Sequence, residues 1–449
     1  MGKREWISNI KTKLVLFAAM LLFKFASELG YCQILIRDTS TYRYDFNAWK
    51  YINGLIWCIV LFCFIRHERK KVSTFMLYLT YLVQIIPITV IYAFANESVA
   101  YYNLLCLSFL MCELICGWIK RDSRWKPNCR LSAFMISAFA VVLILVLVYI
   151  YKKNGLPSLV ALNIYKVYEI RRSGAFQVGK YANYLLEWVT KVIIPFLLAK
   201  SLCSKRWFCA GLLSGSLFVI YLYSGHKSYL FALPLVIVCT LWAKRKEFYK
   251  EIFGVSCSGF FVLVLLACFS PIAQSKFASI YSLLGRRVMM VSANNKFVYY
   301  DFFSRNPKLG LAGVFPTWLI YVPNYYANVS YPNLISEIYY GKPDMYSNTG
   351  FFAEGYMRFG HIGTVLIFIL FAWVLLLMDK MQKRAGYVLT VGAFVYRVFM
   401  LTDNHLFDAL VFGDWMLVII LMIFYVDGKQ SYIKTRKKIS IKWSGFKAV

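Results

Sequence analysis

Leu131-Ser-Ala-Phe-Met-Ile-Ser-Ala-Phe-Ala-Val-Val-Leu-Ile-Leu-Val-Leu-Val-Tyr-Ile-Tyr151 runs for 21 residues without a charge. A helix needs about 20 apolar residues to cross a hydrocarbon core about 30 Å thick. Helix is also the natural way across, because lipid offers an unpaired backbone amide no partner. Outward from this stretch, comparable runs recur along the chain, long and continuous. A β-barrel would instead show short alternating segments.

Composition agrees with that reading. Of 449 residues, 60% are apolar, 18% aromatic and only 16% charged, whereas a soluble domain has about 45–50% apolar and about 25% charged. A mean hydropathy of +0.57 excludes a soluble enzyme, a coiled coil, a collagen and a disordered chain. The expectation is an all-α integral membrane protein with about twelve transmembrane helices. Spans one to nine fall within residues 1–269 and spans ten to twelve within 362–428, followed by a basic tail at 429–449. The second, sixth and eighth spans, Tyr51–Ile65, Tyr184–Ala199 and Ser228–Ala243, are short. Lys3, Arg4, Lys11 and Lys13 precede a first segment that reads as a retained anchor.

A formal charge of +30 would suit a nucleic-acid binder, but topology explains it better. Lys and Arg are retained on the cytoplasmic side of a membrane. With both termini inside, cytoplasmic segments hold 30 of the 51 Lys and Arg, 18 fall outside and 3 lie within spans. No nucleic-acid partner is expected. The cysteines lie in or beside apolar segments and read as small core residues, without a disulfide framework.

Two outer loops, 152–183 and 270–361, exceed what a plain bundle needs. The larger is rich in aromatics, from Tyr299 and Phe303 to Trp318 and Tyr340, and is expected to fold onto the membrane as short helices. Cations outside depart from the topological rule and require a reason. Arg171 and Arg172 lie in the first loop; Arg286, Arg287, Lys296 and the acid Asp301 lie in the second. The guanidinium fork suits phosphate oxygens, so an anionic lipid-linked substrate is one reason. Phospholipid headgroups or local salt bridges are another.

Asn348-Thr-Gly-Phe-Phe-Ala-Glu354-Gly-Tyr-Met-Arg358-Phe-Gly-His361 leads into the tenth span. A helix from Gly350 puts Glu354 and Arg358 on one face, as an ion pair at the membrane edge or as a base beside a cation. Ser224-Gly-His226-Lys227-Ser228 forms a turn with two cationic side chains, either an interfacial turn or a phosphate site. Within spans, Lys24 with Glu28 and Glu187 with Lys191 are spaced as ion pairs. Arg397 is close in sequence to Asp403 and Asp408, either as their partner or as part of a cavity. No spacing of His226, His361 or His405 suits a metal, and no nucleotide-binding motif is present. Neither metal nor cofactor is expected.

The pattern resembles the Wzy-type oligosaccharide repeat-unit polymerases of bacterial envelopes. Four features carry the resemblance: the Asn348–Gly363 stretch, the aromatic first loop Tyr42–Lys50, the Ser224–Ser228 turn, and a long outer loop that carries Arg286-Arg287. The resemblance implies a C-type-glycosyltransferase-like bundle in the bacterial cytoplasmic membrane. It implies transfer of a glycan from an undecaprenyl-diphosphate carrier onto a lipid-linked repeat unit at the outer face. Membrane lipid and a chain-length regulator protein are the implied partners. By that analogy Arg171, Arg172, Arg286 and Arg287 bind diphosphate, with His226, Lys227, Arg358 and Arg397 beside them. Glu354 is the first choice for base and Asp301 the second. An O-antigen ligase and a transporter or flippase of lipid-linked glycans are the alternative readings.

Overall fold

Helix is the only regular structure among the described residues of the computed structural model, which are 3–37, 41–68, 70–118, 129–157, 159–163, 167, 176–270, 274–314, 321–326, 329–411 and 413–425. In chain order the helices are α1 Lys3–Gln33, α2 Ala48–Phe64, α3 Val72–Phe94, α4 Val99–Trp118, α5 Cys129–Asn154, α6 180–203, α7 Trp207–Ser224 and α8 Lys227–Trp242. There follow α9 Phe248–Phe269, α10 274–305, α11 Tyr331–Tyr340, α12 Phe351–Ala385, α13 Tyr387–Met400, α14 Leu406–Val411 and α15 Asp414–Phe424. Seven of them (α1, α3, α4, α5, α7, α9 and α12) are long and apolar enough to cross a membrane, and α2, α8, α13 and α15 are shorter apolar helices. The chain is thus a helical membrane protein.

Two of the helices are continuous only because they widen. In α3 the turn Tyr81–Ile85 is a π-helix, and in α6 the turn Val189–Ile193 is another. Each is followed at once by Ile-Pro, at Pro87 and Pro195. A proline inside a helix removes one hydrogen bond and collides with the carbonyl four residues before it. A wider turn at that point relieves the collision without ending the helix.

The chain divides into two compact units. The first comprises Met1–Lys120, Lys246–Leu376 and Val398–Phe412. At its centre α3 is buried along its whole length. Gly54 of α2 lets Thr89 of α3 come close, since a Cβ there would lie 2.7 Å from the threonine methyl. Such small-residue contacts suit helices that have no hydrophobic drive to associate in lipid. The other face of α2, with Ile52, Ile56 and Ile59 exposed, is a stripe at helical spacing of the kind that meets acyl chains. Phe23 of α1 meets Phe260 of α9 at 4.6 Å between ring centres, and Lys24 pairs with Glu28 inside α1. The loop before α2 is tied down by backbone bonds from Asp45 to Phe94 (2.8 Å) and from Asn47 to Ala93 (3.0 Å).

The second unit comprises Arg121–Arg245, Leu377–Arg397 and Gly413–Val449. Gly392 of α13 makes a close contact of the same kind: a Cβ there would lie 2.3 Å from Thr240 Oγ1 and 2.7 Å from Ala199 Cβ. Lys191 pairs with Glu187 within α6, as the spacing predicts. Within the 152–183 loop residues 158, 164–166 and 168–175, among them Arg171 and Arg172, lie outside the described residues, as does the basic tail.

Candidate functional site

The Asn348–Gly363 stretch folds as two helical arms. Phe359 and Gly360 leave helical geometry, Gly360 at φ +66°, so α12 bends there. The arms meet at two glycines, where a Cβ on Gly355 would lie 2.3 Å from the Gly363 carbonyl oxygen. The bend also strands carbonyls at the end of the first arm. Leu309 N–H takes that of Met357 at 2.9 Å, and Gly310 N–H takes that of Arg358 at 3.1 Å. Gly350 supplies the other close approach. A Cβ there would lie 2.2 Å from the carbonyl oxygen of Thr402 and 2.3 Å from that of Leu401, so only glycine lets the first arm press on the turn between α13 and α14.

Four ionisable side chains are linked across that contact. Glu354 is fully buried, and its carboxylate receives the start of α14. Oε2 accepts from Leu406 N at 2.6 Å and Phe407 N at 3.0 Å, while Oε1 accepts from Phe407 N at 3.2 Å and Asp408 N at 3.4 Å. An anion at unsatisfied N–H groups of a helix start is favourable. Arg358 Nε lies 3.6 Å from Glu354 Oε1, and Nη2 bonds Asp408 Oδ1. The rest of the fork is spent on backbone, Nη1 donating to Gly310 O at 2.9 Å and to Ala312 O at 3.1 Å. Asp408 Oδ2 then meets His405 Nδ1 at 3.0 Å. The chain of contacts runs Glu354, Arg358, Asp408, His405, from a buried end to a partly exposed one.

Ligand atoms of Glu354, His405 and Asp408 fall within 4.8 Å of one another, a proximity that sequence spacing did not reveal. The set fits a cation poorly. The Arg358 guanidinium and the N–H groups of α14 already supply positive charge to both carboxylates.

A second cluster leans on the same turn from α10. Lys296 is buried, and its amine donates to Ser292 O at 3.0 Å, Ser292 Oγ at 2.7 Å and Thr402 O at 3.5 Å. Burial pushes the amine down to about 7, against the upward pull of Asp403. Burial likewise raises the Asp403 carboxyl, and Arg287 and Lys296 pull it back. In the Arg286-Arg287 pair, Arg286 is half-buried and donates from Nε to Ser282 Oγ at 3.0 Å, while Arg287 is exposed. Asp301, the second choice for base, has both oxygens engaged, by Arg305 at 2.8 Å and by the Tyr339 hydroxyl at 2.6 Å.

In the second unit, Gly225 closes α7 at φ +62° with its N–H on Tyr221 O at 2.8 Å, which accounts for the glycine of the Ser224–Ser228 turn. His226 is exposed at the start of α8 and Lys227 is half-buried. Arg397 pairs through Nη1 with Asp414 rather than with Asp403 or Asp408, its neighbours in sequence. Its Nε and Nη2 are buried and have no hydrogen-bond partner among the described residues. The structure therefore joins Glu354 with Arg358 and leaves Arg287 within electrostatic reach of Asp403. Sequence reading missed the His405–Asp408 pair, whose only signal was an i, i+3 spacing across the start of α14. It also passed over Glu113 within α4.

Compared with family models, curated proteins and solved structures, the chain matches none.

Proposed function

We propose that the protein is a membrane polysaccharide polymerase, transferring a glycan from an undecaprenyl-diphosphate carrier onto a lipid-linked oligosaccharide repeat unit at the outer face of the bacterial cytoplasmic membrane. The observation that carries this reading is the convergence on one turn. The Asn348–Gly363 stretch, which bears the resemblance, supplies the acid and the arginine that hold the His405–Asp408 pair. The reaction makes two demands that this chemistry meets. Diphosphate is already a good leaving group, and neutralising the charge it gains is the main requirement, which fixed cations meet without a metal. Arg287 and Arg286 serve that role in the first unit; Arg171, Arg172, His226, Lys227 and Arg397 are the further cations assigned to diphosphate.

The acceptor hydroxyl needs a base. Glu354 has both oxygens committed to the start of α14, so the reading moves the proton to His405 and gives Glu354 and Arg358 the task of positioning. The sugar–diphosphate bond breaks, the bond to the acceptor oxygen forms, the hydroxyl proton passes to the imidazole and lipid diphosphate leaves. In this reading the bundle has twelve spans with both termini cytoplasmic.

Deletion of the gene followed by sizing of the surface glycan tests the proposal. A polymerase mutant leaves single repeat units attached, an O-antigen ligase mutant leaves long chains unattached, and a flippase mutant accumulates repeat units inside. Either of the last two patterns overturns it.

A further inference from the structure

Three pairs join charges inside the apolar helices among the described residues: Lys24 with Glu28, Lys191 with Glu187, Arg397 with Asp414. Glu113 of α4 breaks the pattern. Its side chain is buried at 2% exposure, and neither carboxylate oxygen has a hydrogen-bond partner among the described residues. An ionised carboxylate in low-dielectric surroundings costs several kcal/mol unless it is paired, and an ionisable group within a membrane helix is by default a functional one.

The surroundings are polar without satisfying it. Lys13 of α1 is within electrostatic reach, but its amine donates to the Cys63 carbonyl at 2.7 Å. Tyr78 and Tyr81 of α3 and Cys106, Cys112 and Cys116 of α4 are likewise within electrostatic reach of the carboxyl. Tyr78 is fully buried and its hydroxyl also has no hydrogen-bond partner among the described residues. Glu113 stands one helical turn from Gly117, whose carbonyl accepts from Arg66 Nη1 at 3.0 Å. Lys71 Nζ reaches Cys116 O at 3.2 Å. The carboxyl is therefore close to one end of the first unit, the end that carries Arg66, Lys70 and Lys71, and Lys13 is the half-buried cation on the way in.

We propose that Glu113 is a proton-binding site of the membrane-spanning bundle, loaded and emptied from that end past Lys13. The ligand is the proton itself: one carboxyl that is neutral when loaded, and that requires its surroundings to supply positive charge when emptied. The site is separate from the α12–α14 turn and does not depend on the activity proposed for that turn.

A hydrophobic carbodiimide reads such a site directly. It adds the carboxylic acid across one C=N bond, the acid proton passing to nitrogen, and the acyl group then migrates to nitrogen as a stable N-acylurea. The full-length protein in phospholipid vesicles is treated with dicyclohexylcarbodiimide from about pH 5 to about pH 9, a range on either side of neutrality, and peptides are analysed by mass spectrometry. The expected result is an adduct on Glu113 whose yield falls as the pH rises. In Lys13→Gln, the loss of the cation that favours the carboxylate moves the midpoint of that fall to higher pH. The wild-type protein answers the main question, so no variant at Glu113 has to fold. Absence of the adduct throughout the range, or a yield independent of pH, overturns the proposal; an unmoved midpoint in Lys13→Gln overturns the route past Lys13.

Discussion

Asp408 holds His405 from one turn away, its Oδ2 3.0 Å from the ring Nδ1 while its Oδ1 meets the Arg358 guanidinium. With Nδ1–H donating to the carboxylate, the lone pair is on Nε2, the nitrogen that faces away from the network. The pair thus fixes both the tautomer and the orientation of the imidazole proposed as the base. General base catalysis contributes about 10²–10⁴-fold. His405→Gln is expected to lower the rate of glycan extension in membranes by that order. Asp408→Asn is expected to lower it less steeply, with chain length on a gel as the measure. Full extension by His405→Gln would remove the base from the proposed mechanism.

Glu354 is expected to behave differently, as a residue whose loss is felt in folding first. Replacement by Ala removes the acceptor for three successive N–H groups at the start of α14 and leaves Arg358 with one carboxylate instead of two. Breaking a buried pair costs about 3–5 kcal/mol. Unfolding followed by a thiol-reactive dye is a suitable measure, because Cys58, Cys106 and Cys257 are buried. The expected outcome is a midpoint several degrees lower for Glu354→Ala, with Glu354→Gln intermediate because it keeps one acceptor oxygen. An unchanged midpoint for Glu354→Ala would return the residue to the role of a free base.

How much of this was legible in the sequence differs from element to element. Apolar runs with few charges encode long helices through length alone, so α5 could be placed from Leu131–Tyr151. The i, i+4 rule found the pairs within α1, α6 and α12, since neighbours on a helix face meet whatever the fold. It could not find Arg358 with Asp408 or Arg397 with Asp414, because a contact between helices depends on packing. Arg397 is nearer in sequence to Asp403 than to Asp414, yet it pairs with Asp414. The bend at Phe359–Gly360 was likewise invisible. Its reason, backbone approach at Gly355 and Gly363, exists only in three dimensions.

Gly350 supplies a prediction that separates close packing from general fragility. A methyl group there would meet two backbone carbonyls, at 2.2 and 2.3 Å, and backbone cannot step aside as a side chain can. Overpacking costs typically about 1–3 kcal/mol. Gly350→Ala is expected to lower the unfolding midpoint and to reduce extension, since the α13–α14 turn carries His405. Gly211→Ala, where a Cβ has nothing within 4 Å, is expected to change neither. Equal effects of the two substitutions would show that the contact of the first arm with Leu401 and Thr402 carries no special weight.

Lys296 makes stability depend on pH, and the sign follows from the direction of its shift. Burial holds the folded amine at about 7, against 10.5 for the ordinary side chain. Between those values the unfolded chain binds a proton that the folded protein does not, so stability rises with pH by up to about 1.4 kcal/mol per unit. Below about 7 both states are protonated and the cost of burying the charged amine is fully felt. Asp403, whose carboxyl burial raises, carries the opposite slope, starting from the ordinary carboxylate range. The contribution of Lys296 to the dye-monitored midpoint is therefore expected to climb from about pH 7 to about pH 10. Lys296→Met, which keeps the length of the chain and removes the charge, is expected to flatten that climb and to raise the midpoint most at the acid end. A Lys296→Met slope equal to the wild type's over that range would mean that the amine beside Ser292 and Thr402 keeps its proton throughout.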